Sequence, residues 1–281
     1  MRLNAYIMLA DPAFLGPSVR SYYDLVDRIV VSYDENATSW TGTPLPIEHC
    51  LQIVRELDVD GKCDYRPGHF GRVGFDPLDN DTYQRRTALS QASEDADWVL
   101  QLDTDEVVPR PDVFLRAIQR ADDADARVLD YPARWLYTRV GPGRFLEAST
   151  RFWRLACSYP GPLAVRAGTA LRLARQSDWP AYRVDVRPWN TDPAAPPRTI
   201  IHDLVPADAA VLHYSWVRSA EDIARKVGWS GHSDEWRTSG KYGQWLHATR
   251  TPLRTVLKTP FASKWRHYRL SRLPDFPSEG V

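Results

Sequence analysis

Predicted strands and helices alternate four times in the first 120 residues of the chain. Apolar runs at 3–10, 28–33, 62–66 and 98–108 predict the strands. Segments with helical spacing or helix-start residues follow them at 16–26, 46–57, 83–93 and 112–120. Such alternation is typical of a mostly parallel sheet with helices on both faces. The sequence therefore predicts an α/β, Rossmann-like fold whose ligand crevice lies at the carboxyl ends of the strands.

The fourth predicted strand ends in a cluster of acidic residues. Asp103, Asp105 and Glu106 follow an apolar run that starts at Trp98. Alternate residues of an extended chain point the same way, so we expect the carboxylates of Asp103 and Asp105 to meet. Two carboxylates this close repel each other unless one is protonated or a cation lies between them. The pattern predicts a site for Mg²⁺ or Mn²⁺, and the alternative is an acidic turn that caps the next helix.

Composition excludes several classes of protein. The chain has 281 residues, 43% of them hydrophobic, and a formal net charge of zero, so it is globular and nucleic acid is not an expected partner. Neither GxGxxG nor GxxxxGK[ST] occurs, which argues against dinucleotide oxidoreductases and P-loop NTPases. The three cysteines form no metal-binding pattern, and no apolar run is long enough to span a membrane. We therefore expect a cytoplasmic protein.

The character of the sequence changes near residue 127. Aromatic, strand-like segments at 128–137 and 151–155 predict an antiparallel extension of the sheet that covers an acceptor site. The segment 178–197, rich in Pro and Trp, predicts a long loop, and a short strand at 211–216 precedes a helix at 220–227. The predicted domain covers 1–235, with a first half at 1–125 and a second half at 126–235.

The remaining residues, 236–281, form a predicted basic and aromatic tail. Between 236 and 272 there is no Asp or Glu, while nine basic residues alternate with aromatic and aliphatic ones. This pattern suits peripheral contact with an anionic membrane, on its inner face, or a phosphate-bearing acceptor. The alternatives are a helical tail packed on the domain by its apolar face and, with less support, a nucleic-acid acceptor.

Four segments resemble those of GT-A glycosyltransferases of the family-two type, over about residues 3–235. IVVSYDENAT at 29–38 resembles the second strand and its acidic nucleotide-binding end, and QRRTAL at 84–89 resembles the Arg-containing helix. WVLQLDTDE at 98–106 looks like the DxD motif. The segment from 212 to 230 is similar to the His-aromatic segment and helix of bacterial β-glucosyltransferases that build lipopolysaccharide cores.

This resemblance implies a nucleotide-sugar-binding half at 1–125 and an acceptor half at 126–235. Asp34, with or without Glu35, would hold the base or ribose, and Ala10 at the end of the first strand would contribute to the same site. Arg85 or Arg86 would meet the diphosphate, because a guanidinium pairs with phosphate through two hydrogen bonds. The alternatives are a helix cap for Asp34 and a solvated helix face for one of the arginines.

The resemblance also implies a metal centre. Asp103 and Asp105 would bind the sugar-nucleotide ribose and a Mg²⁺ or Mn²⁺ ion on the diphosphate, and the ion would neutralise the leaving group. His213 would complete the metal or phosphate site, since imidazole suits Mn²⁺-type ions. The alternative for His213, which lies in an apolar segment, is a buried core histidine.

One expected feature of the family is missing. The resembling enzymes carry a His-Glu pair in the strand after their Arg-Leu-Phe-Arg stretch, and the corresponding segment here, 164–168, has no carboxylate. An inverting enzyme needs a carboxylate base to deprotonate the acceptor hydroxyl. Glu106, Glu147 or Asp185 could take that role, and Asp105 joins Glu106 and Glu147 in the set of catalytic candidates.

The function that these features predict is transfer of a hexose from a nucleoside-diphosphate sugar, with UDP as the expected carrier, to a glycan or lipid-linked acceptor. One alternative is a haloacid-dehalogenase-type phosphatase with Asp103 as nucleophile and Asp105 as acid. That family places its motif in the first strand and needs a later Lys and a second acidic pair. Another alternative is a catalytically inactive relative that only binds a sugar nucleotide.

Overall fold

The computed structural model of the protein describes residues 1–229, 240–263, 266–274 and 276. In the first half, the elements are β1 (Leu3–Met8), α1 (Leu15–Tyr22), a 3₁₀ turn (Tyr23–Leu25), β2 (Arg28–Asp34), α2 (Ile47–Leu57), β3 (Cys63–Gly68), α3 (Pro77–Ala92), β4 (Trp98–Gln101), β5 (Glu106–Val107) and α4 (Pro111–Asp123). The second half contains β6 (Val128–Asp130), β7 (Ala133–Gly141), β8 (Arg144–Ala148), β9 (Ala164–Arg166), β10 (Ala181–Val186), β11 (Asp203–Val205), β12 (Val211–His213), α5 (Ala220–Trp229), α6 (Lys241–Arg250), α7 (Pro252–Lys258), a second 3₁₀ turn (Thr259–Phe261) and β13 (Tyr268–Arg272).

The larger of two sheets has eight strands in the order β11-β10-β6-β9-β4-β1-β2-β3. β1 pairs in parallel with both β2 and β4, and β2 pairs in parallel with β3. Among the described strands of this sheet, β9 alone runs antiparallel to its neighbours. The predicted α/β fold with a mostly parallel, helix-flanked sheet is confirmed.

Both faces of the parallel strands are buried because helices cover each face. The odd-numbered residues of β1, such as Leu3 and Ile7, pack with side chains of α1 and α2. The even-numbered residues, such as Tyr6 and Met8, pack with side chains of α3. This two-sided burial accounts for the nearly continuous apolar runs of these strands.

The second sheet has five strands in the order β13-β8-β7-β12-β5. β8 pairs antiparallel with β7 and with β13, while β12 runs parallel to β7 and antiparallel to β5. β5 follows β4 after four residues, so the short turn at 102–105 connects the two sheets. The predicted acidic cluster therefore lies where the two sheets meet.

The helix before the acidic turn starts earlier than predicted. Asp79, Asn80 and Asp81 are residue types that often start helices, but here they lie inside α3. Asp76 is the N-cap, since its carboxylate accepts a hydrogen bond from the Leu78 amide at 2.8 Å, and Pro77 occupies the first helical position. Residues 80 and 81 are therefore free to point into the protein, where both are buried.

Two strand predictions and one loop prediction in the second half need correction. The predicted strand 128–137 is divided into β6 and β7 at Tyr131 and Pro132. Residues 151–155 form turns with one isolated bridge between Ser149 and Leu155, because Trp153 has a positive φ of 58°. The predicted loop 178–197 contains β10, which pairs in parallel with β6 and β11.

Part of the predicted tail packs on the domain. β13 forms the edge of the second sheet, and Trp245 of α6 is buried against Trp216 and Ile223. The boundary at 235, together with Trp236, Arg237, Lys264 and Trp265, lies outside the described residues, as does Ser230 of the His-aromatic segment. In the described chain, no helix combines the length and apolarity that crossing a bilayer requires.

Candidate active site

A cleft lies at the carboxyl ends of β1, β2 and β4, beside β12. This is the edge of a parallel sheet where ligands usually bind. The structure brings six predicted residues to the cleft wall: Ala10, Asp34, Arg85, Asp103, Asp105 and His213. It places four others outside the lining: Glu35, Arg86, Glu106 and Glu147.

The acidic residues lie in a turn rather than in an extended strand. β4 ends at Gln101, and Asp103 and Asp105 precede the short strand β5. The Glu106 amide donates to the Asp103 carbonyl oxygen at 3.0 Å and closes the turn. The two carboxylates are close enough for the charge of Asp105 to act to raise the pKa of Asp103, but a turn and not an extended strand brings them together. Each carboxylate instead has its own set of cationic partners.

Asp103 is held between two arginines. Arg85 Nη2 donates to Asp103 Oδ1 at 2.9 Å, and Arg175 Nη1 lies 3.9 Å from Asp103 Oδ2. Arg85 also donates from Nε to Asp81 Oδ1 at 2.7 Å, which fixes its orientation. Burial would raise the pKa of Asp103, but Arg85 and Arg175 outweigh this effect and lower the pKa to about 2. Asp103 is therefore an anion at neutral pH.

Asp105 is held by a second group of cations. Lys226 Nζ donates to Asp105 Oδ2 at 2.5 Å, and Arg218 Nη2 donates to the same oxygen at 3.3 Å. His213 Nε2 lies 3.3 Å from Asp105 Oδ1. Burial of Asp105 would raise its pKa, but Lys226, His213 and Arg218 hold the pKa well below its usual range. The acidic turn is therefore surrounded by cationic side chains from α3, from α5 and from two loops.

The predicted metal ligands lie together, but they do not form the predicted metal site. The Lys226 ammonium group occupies the Asp105 oxygen that a divalent cation would need, and Arg85 occupies an oxygen of Asp103. Among the residues that the structure describes, no group of three or more His, Cys, Asp or Glu side chains is placed to hold a metal ion. As arranged, the carboxylates of Asp103 and Asp105 bind arginine and lysine side chains of the protein, and they do not fit Mn²⁺ or Mg²⁺.

Asp34 closes a loop at the cleft wall. Its Oδ1 accepts hydrogen bonds from the Asn36 and Thr38 amides and the Thr38 hydroxyl, and its Oδ2 accepts from the Phe70 and Gly71 amides. Burial would raise the pKa of Asp34, but these hydrogen bonds lower it overall. Asp34 therefore shapes the loops beside β2 and β3.

In each of the predicted pairs Asp34/Glu35 and Arg85/Arg86, the first residue lines the cleft and the second does not. Glu35 is exposed, and its Oε1 lies 3.2 Å from His69 Nδ1. Arg86 turns away from the cleft and donates to the carbonyl oxygens of Leu171 and Arg172 at 2.9 and 3.0 Å. The structure thus selects Asp34 over Glu35 and Arg85 over Arg86 as cleft residues.

The three carboxylates that the sequence offers as a catalytic base are all buried, and each is hydrogen-bonded within the protein. Glu106 is 0% exposed and forms a two-point ion pair with Arg175. Glu147 is 0% exposed and forms a two-point ion pair with Arg134 on the second sheet. Asp185 accepts hydrogen bonds from the Thr191 amide and hydroxyl. None of the three lines the cleft.

Sequence reasoning missed three cations of the site: Arg175, Arg218 and Lys226. Arg175 lies in an irregular segment with no local pattern. Arg218 and Lys226 occur in the segment that resembles the His-aromatic region, but no role was assigned to them there. The one available signal was the presence of basic residues soon after His213, within the fourth resembling segment.

The depressed pKa values lead to a prediction about acid stability. A carboxylate whose pKa is lowered by folding contributes stability above its ordinary pKa, and this contribution is lost as the pH falls through the folded value. For Asp103 that window runs from 3.8 down to about 2. We expect the free energy of unfolding of the Asp103→Asn variant to fall less steeply than that of the wild type as the pH is lowered through this window. Urea denaturation at each pH measures it. Asp123→Asn, at an exposed position of α4, is the control, and equal slopes for the two variants would contradict the prediction.

Three solved structures are similar over part of the chain. The 4-diphosphocytidyl-2C-methyl-D-erythritol synthase of Anaerococcus prevotii is 11% identical with a TM-score of 0.35, over 59% of this chain and 71% of that chain. The mannose-6-phosphate isomerase of Helicobacter pylori is 9% identical with a TM-score of 0.30, over 51% and 53%. A CMP:2-keto-3-deoxy-manno-octonic acid synthetase complexed with CTP is 14% identical with a TM-score of 0.31, over 60% and 72%. No protein-family model and no curated protein matches the sequence. These likenesses are too weak to assign an activity.

Proposed function

We propose that this protein is an inverting glycosyltransferase that moves a sugar from a nucleoside-diphosphate sugar, with UDP as the expected carrier, to a glycan or lipid-linked acceptor. The observation that carries the proposal is the convergence of Arg85, Arg175, Arg218 and Lys226 on the acidic turn. Guanidinium and ammonium groups are strong partners for phosphate oxygens. A diphosphate would find its counter-charges at this end of the cleft.

Another part of the cleft lining suits a nucleoside. Leu9, Trp40 and Leu45 contribute apolar surface to it. The Trp40 ring is held in place because its Nε1 donates to Gln84 Oε1 at 2.8 Å. Aromatic faces are common stacking partners for nucleic-acid bases. Apolar and cationic side chains line the same cleft, as a nucleotide sugar requires.

In the proposed transfer, the bond between the sugar C1 and the diphosphate oxygen breaks as a bond from C1 to an acceptor oxygen forms. Negative charge then grows on the diphosphate, where Lys226 and Arg85 would stabilise it. The acceptor proton passes to a carboxylate, and we assign Asp103, whose side chain is 32% exposed while the other cleft carboxylates are buried. A bound diphosphate would share Arg85 and so weaken the interaction that lowers the pKa of Asp103.

The experiment that tests this proposal is calorimetry with UDP, GDP, CDP and TDP, each with and without Mn²⁺. We expect one diphosphate to bind, and Asp105→Ala to weaken it by about tenfold or more, because Lys226 and Arg218 lose the charged partner that positions them. Asp123→Ala is the control for the change in net charge. Binding of no nucleotide under any condition would contradict the proposal.

Two outcomes would support other functions. Nucleotide binding without turnover on any acceptor would identify the catalytically inactive relative. The contact of Lys226 with the acidic turn keeps the haloacid-dehalogenase-type phosphatase as the second candidate, although Lys226 contacts Asp105 and not Asp103, the expected nucleophile. Covalent trapping of Asp103 by a phosphate analogue, with no nucleotide binding, would favour the phosphatase.

A further inference from the structure

An exposed surface of apolar and basic side chains lies away from the cleft lining. Five large apolar residues of the turn 150–154 and of the segment 252–261 are exposed: Phe152 at 69%, Trp153 at 42%, Leu253 at 64%, Leu257 at 71% and Phe261 at 88%. We call these five residues the apolar surface. Contiguous exposed apolar side chains of this size usually mark a contact site.

Hydrogen bonds join the two segments into one surface. Trp153 Nε1 donates to the Val256 carbonyl oxygen at 2.8 Å, and Arg151 Nε donates to the Pro260 carbonyl oxygen at 2.7 Å. The turn 150–154 is thereby attached to α7 and to the 3₁₀ turn after it. The apolar side chains of the two segments can therefore meet a partner together.

Local structure keeps these side chains at the surface. Leu253, Val256 and Leu257 form an apolar stripe on α7, yet none of the described side chains of this helix is fully buried. Trp153 adopts a φ of 58°, a left-handed conformation that is costly for a bulky residue. Hydrogen bonds of the turn stabilise it, since the Trp153 amide donates to the Thr150 carbonyl oxygen at 3.1 Å. Strained residues of this kind cluster at functional positions.

The charged residues of the segments that carry the apolar surface are all basic. Arg151, Arg154, Arg254, Lys258 and Arg266 are exposed, and none of them forms an ion pair with another described residue. The segments 148–155 and 236–272 contain no Asp or Glu. A basic rim around exposed aliphatic and aromatic residues complements a lipid surface with anionic head groups. Leu253 and Leu257 have no ring on which a nucleic-acid base could stack, which favours lipid over nucleic acid.

We propose that the apolar surface and its basic rim dock the protein on an anionic membrane. The apolar side chains would enter the head-group region, and the rim would contact acidic head groups. This inference does not depend on the proposed transferase activity, because none of the residues it uses lines the cleft.

Vesicle co-sedimentation of the full chain tests the inference. The probes are phosphatidylcholine vesicles with and without phosphatidylglycerol, at low and high salt. We expect binding to the anionic vesicles, weakened by salt, and little binding to the neutral ones. The Leu257→Ser/Phe261→Ser variant should lose affinity by on the order of a hundredfold, and Arg254→Glu/Lys258→Glu by about thirtyfold or more.

Matched controls separate docking from general changes in the surface. Val73 and Ile200 are 98% and 71% exposed elsewhere on the protein, so Val73→Ser/Ile200→Ser should bind vesicles like the wild type. Thermal unfolding of all variants confirms that they fold. Equal binding to neutral and anionic vesicles, no binding to either, or equal loss in the control variant would overturn the inference. So would tighter binding to DNA, or a dimer that the Leu257→Ser/Phe261→Ser variant abolishes.

Discussion

Replacing Lys226 with methionine is expected to weaken nucleoside-diphosphate binding by about 10- to 150-fold in metal-free buffer, because a hydrogen bond from a charged donor contributes about 1.5–3 kcal/mol. Lys226 Nζ lies 2.5 Å from Asp105 Oδ2 and 2.9 Å from Ser215 Oγ, so two acceptors direct it into the cleft. Methionine has a similar length and no charge. Calorimetry with the diphosphate that binds the wild type measures the change.

The same variant tests whether Lys226 takes the place of a divalent cation. Removing the ammonium group leaves Asp105 Oδ2 with Arg218 as its remaining cationic partner, at 3.3 Å, beside His213 and near Asp103. We therefore expect the variant to bind Mn²⁺ more tightly than the wild type, measured by electron paramagnetic resonance without nucleotide. Lys258→Met, at an exposed position of α7, makes the same change in net charge and should alter neither affinity. Wild-type nucleotide binding that requires Mn²⁺ and is unchanged in Lys226→Met would show that Lys226 has no such role.

The parallel part of the fold was predictable because its pattern is local. β1, β2 and β4 are buried on both faces, so their sequences are continuous apolar runs that differ clearly from the helices between them. The start of α3 was less clear, since several Asp and Asn residues near it are acceptable helix caps, and only the contact of Asp76 with the Leu78 amide decides among them. Aromatic content alone does not indicate a strand at 151–155, where a positive φ at Trp153 makes a turn.

The acidic turn was found from sequence, but its partners were not. Asp103 and Asp105 stood out because they directly follow an apolar run. Lys226 is 121 residues from Asp105, and no periodicity or spacing relates two residues at that distance. The sequence therefore led to the prediction that a metal ion offsets the repulsion between the carboxylates, whereas in the structure four cationic side chains do so. Similarly, the burial of Glu147 depends on Arg134, which reaches it only through the pairing of β7 with β8.

Replacing Arg175 with methionine is expected to lower the free energy of unfolding by about 3–5 kcal/mol, because it leaves a buried carboxylate without its counter-charge. Arg175 Nη1 and Nη2 donate to the two oxygens of Glu106 at 2.7 and 2.6 Å, and the side chains of Arg175 and Glu106 are 3% and 0% exposed. Arg175 also donates to the Gln101 carbonyl oxygen at 2.9 Å, so it fixes the end of β4. Urea denaturation measures the loss.

Two further variants identify the cause of that loss. Arg172 lies three residues earlier, with a side chain that is 58% exposed and paired to the exposed Asp178, so Arg172→Met should cost less than about 1 kcal/mol. Adding Glu106→Gln to Arg175→Met should restore part of the lost stability, because the glutamine leaves no uncompensated charge. If the double variant is as unstable as the sum of the two single changes, the buried ion pair is not the cause. If instead Arg175→Met and Arg172→Met cost the same, the Glu106 environment is open to solvent, and Glu106 returns as a candidate base.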